Sequence, residues 1–472
     1  MRDGKSYLEN LAKTPRNVWI DGNKIKSVIE HPATAATAKA VAALYDFQMT
    51  HASSLGHEGV AQSLHIPRSK SELLARGSAF LAWARQSGGF LGRTPDYLNS
   101  ILSAWAGASP YFGTGHSDFA RNISNYHKLV CAQDLALTHS VVNAYRVKGQ
   151  TRVLDRERAM KVVKERDDGI LVRGIRHLAT SAATCDELLV YSGRISNLTD
   201  ADADYALSFA VPIGSAGLKL LGREPFDPSR SKFDFPLSSR FEEMDFLVIF
   251  EDVFVPWERV FIYRDSAKTN ELHLATNSVI HSAHQTTAKS LAKTEFFLGT
   301  LLRYINTHES KTVPHIQHLV AEVMMQLEVM KALLRQAEEN CAIDSWGVMA
   351  PQMMPLEVAR VLYMKYYSQL VEVVRSVGAG QLMLLFSQND LQGEVKGDLE
   401  RILGDPEQSA TDRVRYNRVL WDMACSAFAT RQDLYERLYA GGLYPSLQFL
   451  YRVFPKQQAE ELQDFVDRVL EV

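Results

Sequence analysis

Tyr205-Ala-Leu-Ser-Phe-Ala-Val211 sets the architecture of the chain, because it is a β-rich run between two long regions patterned for helices. Similar runs lie on both sides of it, and turn residues separate them. These runs are Gly169-Ile-Leu-Val172, Leu188-Leu-Val-Tyr191 and Phe246-Leu-Val-Ile-Phe250. No helical pattern alternates with them, so a parallel nucleotide-binding sheet is not indicated. We therefore predict an antiparallel β barrel or sandwich over residues 149–272.

Helical patterning fills the chain on both sides of this region. Before it, Thr94 and Pro95 form a helix start, with Thr94 as the N-cap and Pro95 at the first helical position. After it, apolar stripes at helical spacing begin at Phe297, Leu319 and Ala359. The order predicts a mainly α protein, with an N-terminal helical domain at 1–148, a middle β-barrel domain at 149–272 and a C-terminal helical bundle at 273–472.

Composition and hydropathy argue against several classes of protein. The 472 residues carry a net charge of −3 and no long basic run, so no partner nucleic acid is expected. The stretch 1–15 is polar, and no run of about 18 apolar residues occurs, which predicts a cytoplasmic protein without a secretory signal or membrane span. The cysteines are too far apart in sequence for a local metal or disulfide motif. They are Cys131, Cys185, Cys341 and Cys425.

Histidine pairs are the nearest approach to a metal motif. His281 and His284, like His315 and His318, are spaced three apart on predicted helices and could chelate a metal ion. Histidines in this pattern are more often exposed or capping residues. We therefore predict no metal site.

Stretches in a fixed order along the chain carry a family resemblance. They are Gly92-Arg-Thr-Pro-Asp-Tyr-Leu-Asn99, Leu135-Ala-Leu-Thr-His139, Lys164-Glu-Arg-Asp-Asp-Gly-Ile-Leu-Val-Arg-Gly174 with Leu178-Ala-Thr-Ser181, and Arg240-Phe-Glu-Glu-Met-Asp245 with Phe250-Glu-Asp-Val-Phe-Val-Pro-Trp-Glu-Arg-Val260. Together they resemble the oxygenase component of 4-hydroxyphenylacetate 3-monooxygenase and its relatives, over nearly the whole chain. The resemblance implies an acyl-CoA dehydrogenase-like fold, with a helical domain, a β barrel and a four-helix bundle.

The same resemblance implies an activity, cofactors and partners. A separate NAD(P)H:flavin reductase would supply reduced FAD (FADH2), which would react with O2 to give a C4a-hydroperoxide. This monooxygenase would then hydroxylate a small phenolic substrate, free or tethered to a carrier, at the ortho carbon. A homotetramer is expected.

The match to the family motifs, together with the chemistry of the reaction, points to Arg93, Tyr97 and His139. A phenol reacts far more readily as its anion, yet its free pKa is roughly 10, so a site must stabilise negative charge. Arg93 offers a fixed charge beside a helix start. The Tyr97 hydroxyl could donate a hydrogen bond to the flavin peroxide or to the substrate oxygen. His139 has an ordinary pKa suited to taking a phenol proton, and it matches the catalytic histidine of the family. The plain alternative for each is a surface arginine, a core tyrosine and a core histidine.

The resemblance also assigns cofactor and substrate contacts in turns. These are Thr180 and Ser181 beside the flavin ring, Arg146 and Lys148 on the FAD diphosphate, Gly441 and Gly442 in a turn that approaches FAD, and Ser192 and Gly193 in the substrate pocket. Where the family commonly has Asn-Pro, this chain has Asn143-Ala144, which weakens the placement of the two basic residues. A β-turn or a helix C-cap would explain the threonine and the glycines equally simply.

Fold-related flavoenzymes are the alternative function. A CoA-ester dehydratase of this fold needs an iron–sulfur cluster, with cysteines in the stretch that corresponds to 93–97, where this chain has none. An acyl-CoA dehydrogenase needs a catalytic glutamate in the bundle, and none stands in a recognisable motif. A non-enzymatic helical scaffold would not bind FAD or consume O2 with reduced flavin.

Overall fold

The N-terminal part of the protein is mainly helical. A computed structural model describes residues 1–148, 151–193, 196–226 and 231–470. Its first elements are α1 (Gly4–Lys13), β1 (Val18–Ile20), β2 (Asn23–Lys24), α2 (Pro32–Thr50), α3 (Ala52–Leu55), β3 (Gly56–His57), β4 (Val60–Ala61), α4 (Lys70–Gln86), α5 (Pro95–Gly107) and α6 (Phe119–Gln133). The helix start at Pro95 is confirmed, although the Thr94 hydroxyl donates to the Asp96 carboxylate at 2.5 Å instead of capping the backbone.

The middle of the chain supplies most of the strands. They are β5 (Leu137–Ser140), β6 (Val142–Asn143), β7 (Tyr145–Lys148), β8 (Thr151–Leu154), β9 (Lys161–Arg166), β10 (Gly169–Thr180), β11 (Glu187–Val190), β12 (Leu207–Pro212), β13 (Leu218–Gly222), β14 (Asp245–Pro256) and β15 (Val260–Tyr263), with the short helix α7 (Ser238–Phe241) before β14. This run of strands thus begins at Leu137, before the predicted domain boundary at 148.

In the described part of the chain these strands form two larger open sheets and the separate β7–β8 ribbon, and not the closed barrel that the sequence predicted. One sheet runs β2-β1-β13-β14-β10-β6, with β9 also paired to β10, and the other runs β15-β12-β11-β5. Most pairs are antiparallel, but β1 joins β13 in parallel and β5 joins β11 in parallel. β1 and β5 come from outside the predicted β region, and each adds a strand to one of the two sheets.

A bulge in β10 shapes the face of the larger sheet. The register against β14 shifts between Arg176 and Ala179, and Leu178 within the shift has a φ of 57°. Such a left-handed backbone is unusual for a branched residue. The Leu178 side chain is 61% exposed, so the bulge leaves an apolar group standing out from the sheet.

Long helices return after the strands, as predicted. The remaining elements are α8 (Ser266–Ala275), α9 (Ser278–Thr307), α10 (Pro314–Glu339), β16 (Ala342–Ile343), β17 (Met349–Ala350), α11 (Met353–Met383), α12 (Gln388–Gln392), α13 (Lys396–Leu403), α14 (Ala410–Ala424), α15 (Ala427–Leu438), α16 (Leu443–Val453) and α17 (Lys456–Leu470). The predicted stripes lie in the core: Phe297 and Leu301 of α9 and Leu370 and Val374 of α11 are fully buried. No helix in the described ranges is long and apolar enough to cross a bilayer.

The last helix stands apart from this core. No residue of α17 is buried, although its apolar residues fall at helical spacing on one face. Leu462, Phe465 and Val466 are each at least half exposed. An apolar face of this size needs another surface to cover it.

Candidate active site

One cavity of about 1400 Å³ gathers residues from both halves of the chain. Its wall is formed by α5, β5, β10, α9, α11 and α15, together with the turns that follow β11 and α15. The predicted site residues on this wall are Arg93, Tyr97, His139, Thr180, Ser192, Gly193 and Gly441. The structure thus brings together residues that are up to 348 positions apart in the sequence.

Arg93 is held at the wall by its backbone and by aromatic rings. The N–H groups of Gly92 and Arg93 donate to the buried Glu243 carboxylate at 2.9 and 2.7 Å. The guanidinium lies 4.1 Å from the centre of the Tyr97 ring and donates to the Tyr435 hydroxyl. Burial lowers the pKa of Arg93, but Tyr435, Tyr97 and Glu243 together raise it above its ordinary value. The side chain is therefore a permanent, fixed cation.

His139 lies beside these two residues at the end of β5. Its Nδ1 is 2.6 Å from the Tyr191 hydroxyl, and its ring meets the Tyr97 ring edge-on at 5.5 Å. Burial, and then the charges of Arg93 and His273, lower the pKa of His139 well below its ordinary value. The imidazole is therefore neutral at physiological pH. Its expected role as a base depended on a near-neutral pKa, and this environment lowers that pKa instead.

Thr180 belongs to a network of charged hydrogen bonds. Its hydroxyl donates to Asp245 at 2.8 Å, and Asp245 also accepts from Arg431 at 2.8 Å and Arg223 at 3.0 Å. Burial alone would raise the pKa of Asp245, but Arg431 and Arg223 lower it to about 2. The carboxylate stays ionised and can only accept, so the Thr180 hydrogen is committed to it. The Thr180 oxygen can then offer only lone pairs to a ligand.

Other predicted residues lie off this wall. Ser181 has a left-handed backbone and donates its N–H to the Met244 carbonyl at 2.8 Å, behind the cavity. Arg146 and Lys148 are exposed on the β7–β8 ribbon, while Tyr145 at the root of the ribbon reaches the wall. Gly442, with a φ of 86°, makes the turn into α16 while its neighbour Gly441 reaches the cavity.

Several wall residues escaped the sequence analysis. They are Arg176, Tyr191, His273, Arg360, Arg431, Tyr435 and Tyr439. Tyr435 of α15 and Tyr439, which directly follows that helix, stack at 5.4 Å and are four residues apart, and that spacing was the one available signal. The others become neighbours only through the fold. Sequence patterns do not show such long-range contacts.

Arg176 is the most unusual of these residues. It is fully buried, and its Nη1 donates to the carbonyls of Val141 and Tyr191 at 3.3 and 3.2 Å. No described residue accepts from its Nε or Nη2. Burial lowers the pKa of Arg176 to about 10, so it remains charged. Elsewhere in the chain this same edge of a guanidinium binds a carboxylate, as in Arg85–Glu295 at 2.8 and 2.7 Å.

The predicted histidine pairs have structural partners. His281 and His284 are buried on α9, and not exposed as expected; Nδ1 of His281 lies 2.5 Å from Arg76, and Nε2 of His284 lies 2.8 Å from Glu338. His315 and His318 are exposed on α10. Within the described ranges, no group of three or more metal-ligating side chains comes together.

The wall of this cavity carries a fixed cation, a neutral imidazole and phenol groups. Enzymes use sites of this kind to hold and activate an aromatic ligand. The sequence comparisons make the class specific. The N-terminal model of 4-hydroxyphenylacetate 3-hydroxylase matches residues 3–262, and the C-terminal model of the same enzyme matches residues 269–470. The chain belongs to the 4-hydroxyphenylacetate 3-hydroxylase family.

Similar proteins cover almost the full length of the chain. The 4-hydroxyphenylacetate 3-monooxygenase oxygenase component of Geobacillus sp. (strain PA-9) is 38% identical, with 93% of this chain and 91% of the relative covered. The protein of the same name from Thermus thermophilus is also 38% identical, over 100% and 98% of the two chains. A crystal structure of such an oxygenase component in complex with FAD and 4-hydroxyphenylacetate superposes with a TM-score of 0.94 at 37% identity, covering 100% of this chain and 99% of the other.

Proposed function

We propose that the protein is the oxygenase component of a two-component, FADH2-dependent monooxygenase that hydroxylates a phenol at the ortho carbon with O2. Family membership and the names of the relatives support the reaction class. The observation that carries the proposal is the meeting of Arg93, Tyr97 and His139 on one wall of the cavity. The name "oxygenase component" in these relatives also supports a separate NAD(P)H:flavin reductase as the partner.

The residues of the cavity fit FAD. The volume of about 1400 Å³ exceeds the roughly 300–1000 Å³ typical of a pocket for one drug-sized ligand, so there is room for a large cofactor beside a small phenol. Of the arginines on the described wall, Arg93 and Arg176 form no ion pair with a described carboxylate, which favours anionic ligands. Nε and Nη2 of the buried Arg176, which have no partner among the described residues, can donate to an anionic group or a carbonyl of the ligand. Bound FADH2 would supply the electrons that activate O2.

The residues of this chain would control the charge on the phenol. Arg93 holds the phenolic oxygen as its anion and lowers the phenol pKa from roughly 10, which enriches the ring in electrons. Tyr97 and His139 supply neutral hydrogen-bonding groups to the same oxygen. The surrounding aromatic residues exclude water, which strengthens each of these interactions.

The flavin side of the cavity is proposed at Thr180. Its oxygen, which can only accept, suits an N–H group of the cofactor, and Gly441 offers a close approach without a side chain. Ser192 and Gly193 would border the phenol, and Ser181 and Gly442 would act by shaping the turns behind the wall. Arg146 and Lys148 remain proposed contacts of the diphosphate, from the ribbon that leads away from Tyr145.

A homotetramer, built as a dimer of dimers, is the proposed assembly. The exposed apolar face of α17 and the neighbouring exposed residues Tyr444 and Tyr451 of α16 support it. We also propose the acyl-CoA dehydrogenase-like division into a helical domain, a middle domain at 149–272 and a C-terminal four-helix bundle, and a cytoplasmic location.

Product formation tests the function directly. The purified protein is supplied with FAD, NADH, a general flavin reductase and a panel of para-substituted phenols, beginning with 4-hydroxyphenylacetate. We expect a catechol product and less hydrogen peroxide than the reductase alone releases, because each O2 that hydroxylates a phenol is not reduced to peroxide. A protein that forms no catechol from any phenol, free or carrier-bound, would contradict the proposal.

A further inference from the structure

Tyr191 is fixed behind His139 by contacts on several sides. It follows β11, which pairs in parallel with β5 and places Leu189 beside His139. The Tyr191 ring meets Trp105 edge-on at 5.1 Å, and its carbonyl accepts from Arg176 at 3.2 Å. Only 1% of the side chain is exposed. The hydroxyl therefore has little freedom to seek another partner.

The direction of the bond between Tyr191 and His139 follows from the hydrogens available. Among the described residues, Nδ1 of His139 at 2.6 Å is the one hydrogen-bond partner of the Tyr191 hydroxyl. Burial raises the pKa of Tyr191 well above its ordinary value, so the hydroxyl keeps its hydrogen. A buried O–H donor without an acceptor is costly, whereas an unused lone pair on the same oxygen is tolerated more readily. Tyr191 therefore donates, and Nδ1 accepts.

This direction fixes where the imidazole carries its own hydrogen. A neutral imidazole has one N–H, and if Nδ1 accepts, the hydrogen must be on Nε2. No residue in the described ranges bonds to Nε2, and His139 lines the cavity. Nε2 is thus the nitrogen that meets a ligand. The ionisable groups around the ring are Arg93, Tyr97 and His273, besides Tyr191 itself.

We propose that Tyr191 is a positioning residue that fixes His139 as a hydrogen-bond donor, with Nε2–H directed at the phenolate oxygen that Arg93 also holds. The inference rests on the proposed function, and it specifies how the site recognises its substrate. His139 stabilises an anion and does not remove the proton. The phenol therefore loses its proton to solvent when it binds.

Proton release distinguishes a donor from a base. Binding of 4-hydroxyphenylacetate to the flavin-free protein is followed by calorimetry at pH 7 in buffers of different ionisation enthalpy, which gives the protons released per ligand. A donor His139 predicts close to one proton per phenol bound, because the phenol enters as its anion. A base at His139 would retain that proton, and the release would be close to zero, which would overturn the proposal.

Variants separate positioning from packing. Tyr191→Phe removes the donor and should weaken anion binding roughly two- to tenfold. His139→Gln keeps an N–H and should bind better than His139→Leu, a rescue that a base could not give. Tyr7→Phe is the matched control, since it removes another buried hydroxyl, bonded to the Thr184 carbonyl at 2.6 Å and off the cavity wall. Equal affinity of Tyr191→Phe and the wild type would contradict the proposal.

A ligand-free measurement tests the tautomer without the proposed reaction. Nitrogen-15 NMR of histidine-labelled protein, with His139→Gln to assign the signals, should show the hydrogen of His139 on Nε2. A hydrogen on Nδ1 would overturn the inference. If the tautomer is as expected but no phenol is bound or hydroxylated, the proposed function fails and the positioning by Tyr191 stands.

Discussion

Arg93 has its charge fixed by neighbours that cannot neutralise it. The ring centres of Tyr97, Tyr435 and Tyr439 lie 4.1 to 5.4 Å from its guanidinium carbon, and burial raises the pKa of Tyr435 and Tyr439. The adjoining Glu243 carboxylate accepts from backbone N–H groups and from Arg431. The positive charge therefore remains available to an anionic ligand.

We expect Arg93→Ala to remove most hydroxylation while FAD binding changes little. Loss of a charged hydrogen bond to the phenolate should lower kcat/KM about 100-fold. Catechol assays and flavin titration measure the two effects separately. Arg85→Ala is the control, because Arg85 pairs with Glu295 at the surface and should leave both unchanged. Normal turnover in Arg93→Ala, or a defect confined to flavin affinity, would contradict the role.

At the scale of elements, α15 is attached to α9 by a buried charge cluster. Glu436 accepts from Lys289 and Lys293, each at 2.6 Å, and Lys293 also donates to Gln432 at 2.8 Å. The three charged side chains are almost completely buried. Two cations share one carboxylate, so the arrangement depends on that carboxylate. The cluster lies directly below the tyrosines that surround Arg93.

Glu436→Gln should destabilise the protein by about 3–5 kcal/mol, because it leaves two buried ammonium groups without a counterion. Urea unfolding measures the free energy. Glu461→Gln, on the exposed α17, should change the free energy by less than about 0.5 kcal/mol. Equal midpoints for the two variants would show that the lysines are not held by Glu436.

Acid should destabilise the protein in part through the two buried histidines of α9. Burial lowers the pKa of His281 and His284, whereas both titrate near 6.5 in the unfolded chain. Below pH 6.5 these histidines bind protons in the unfolded state but not in the folded state. Their contribution to the free energy of unfolding is therefore complete above pH 6.5 and decreases as the pH falls. Melting temperatures at pH 8, 7, 6 and 5 should show this, with a flatter profile in His281→Gln and no change of slope in the exposed His318→Gln. A profile in His281→Gln as steep as the wild type's would exclude His281 as a cause.

Elements with local signals could be predicted from the sequence, and contacts between them could not. The stripe at Phe297 and the Thr94-Pro95 start each depend on neighbours within one or two turns. The two open sheets include β1 and β5, which come from outside the predicted β region and pair with strands distant in sequence. In the site, family motifs pointed to Arg93 and His139, but Tyr191, whose contacts depend on β11 lying beside β5, had no local pattern.

At the scale of the whole molecule, the C-terminal end of the protein carries an exposed apolar surface. Its C-terminal helices α16 and α17 expose apolar side chains that a soluble monomer would normally bury. Because the cavity wall includes α15 and the start of α16, an assembly that covers these helices would also support the site. Assembly and ligand binding are then expected to depend on each other.

Light scattering should give a mass close to four times 53.0 kDa. Leu462→Asp combined with Phe465→Asp places charge on the apolar face of α17 and should yield smaller species. Glu460→Ala, a change to a charged residue of the same helix, is the control and should keep the mass of the wild type. A stable wild-type monomer of about 53 kDa would contradict the tetramer.

The hydrogen bonds between Asp245 on β14 and Arg431 on α15 have a consequence for synthesis of the chain. At roughly 5–20 residues per second, a ribosome needs on the order of tens of seconds to pass from Arg93 to Arg431. A nascent chain that has emerged only through α11 has the Arg93 loop and both sheets, but Asp245 lacks its main counter-charge and the cavity lacks one side. The cavity can therefore enclose a ligand only after α15 has been synthesised and Arg431 has reached Asp245.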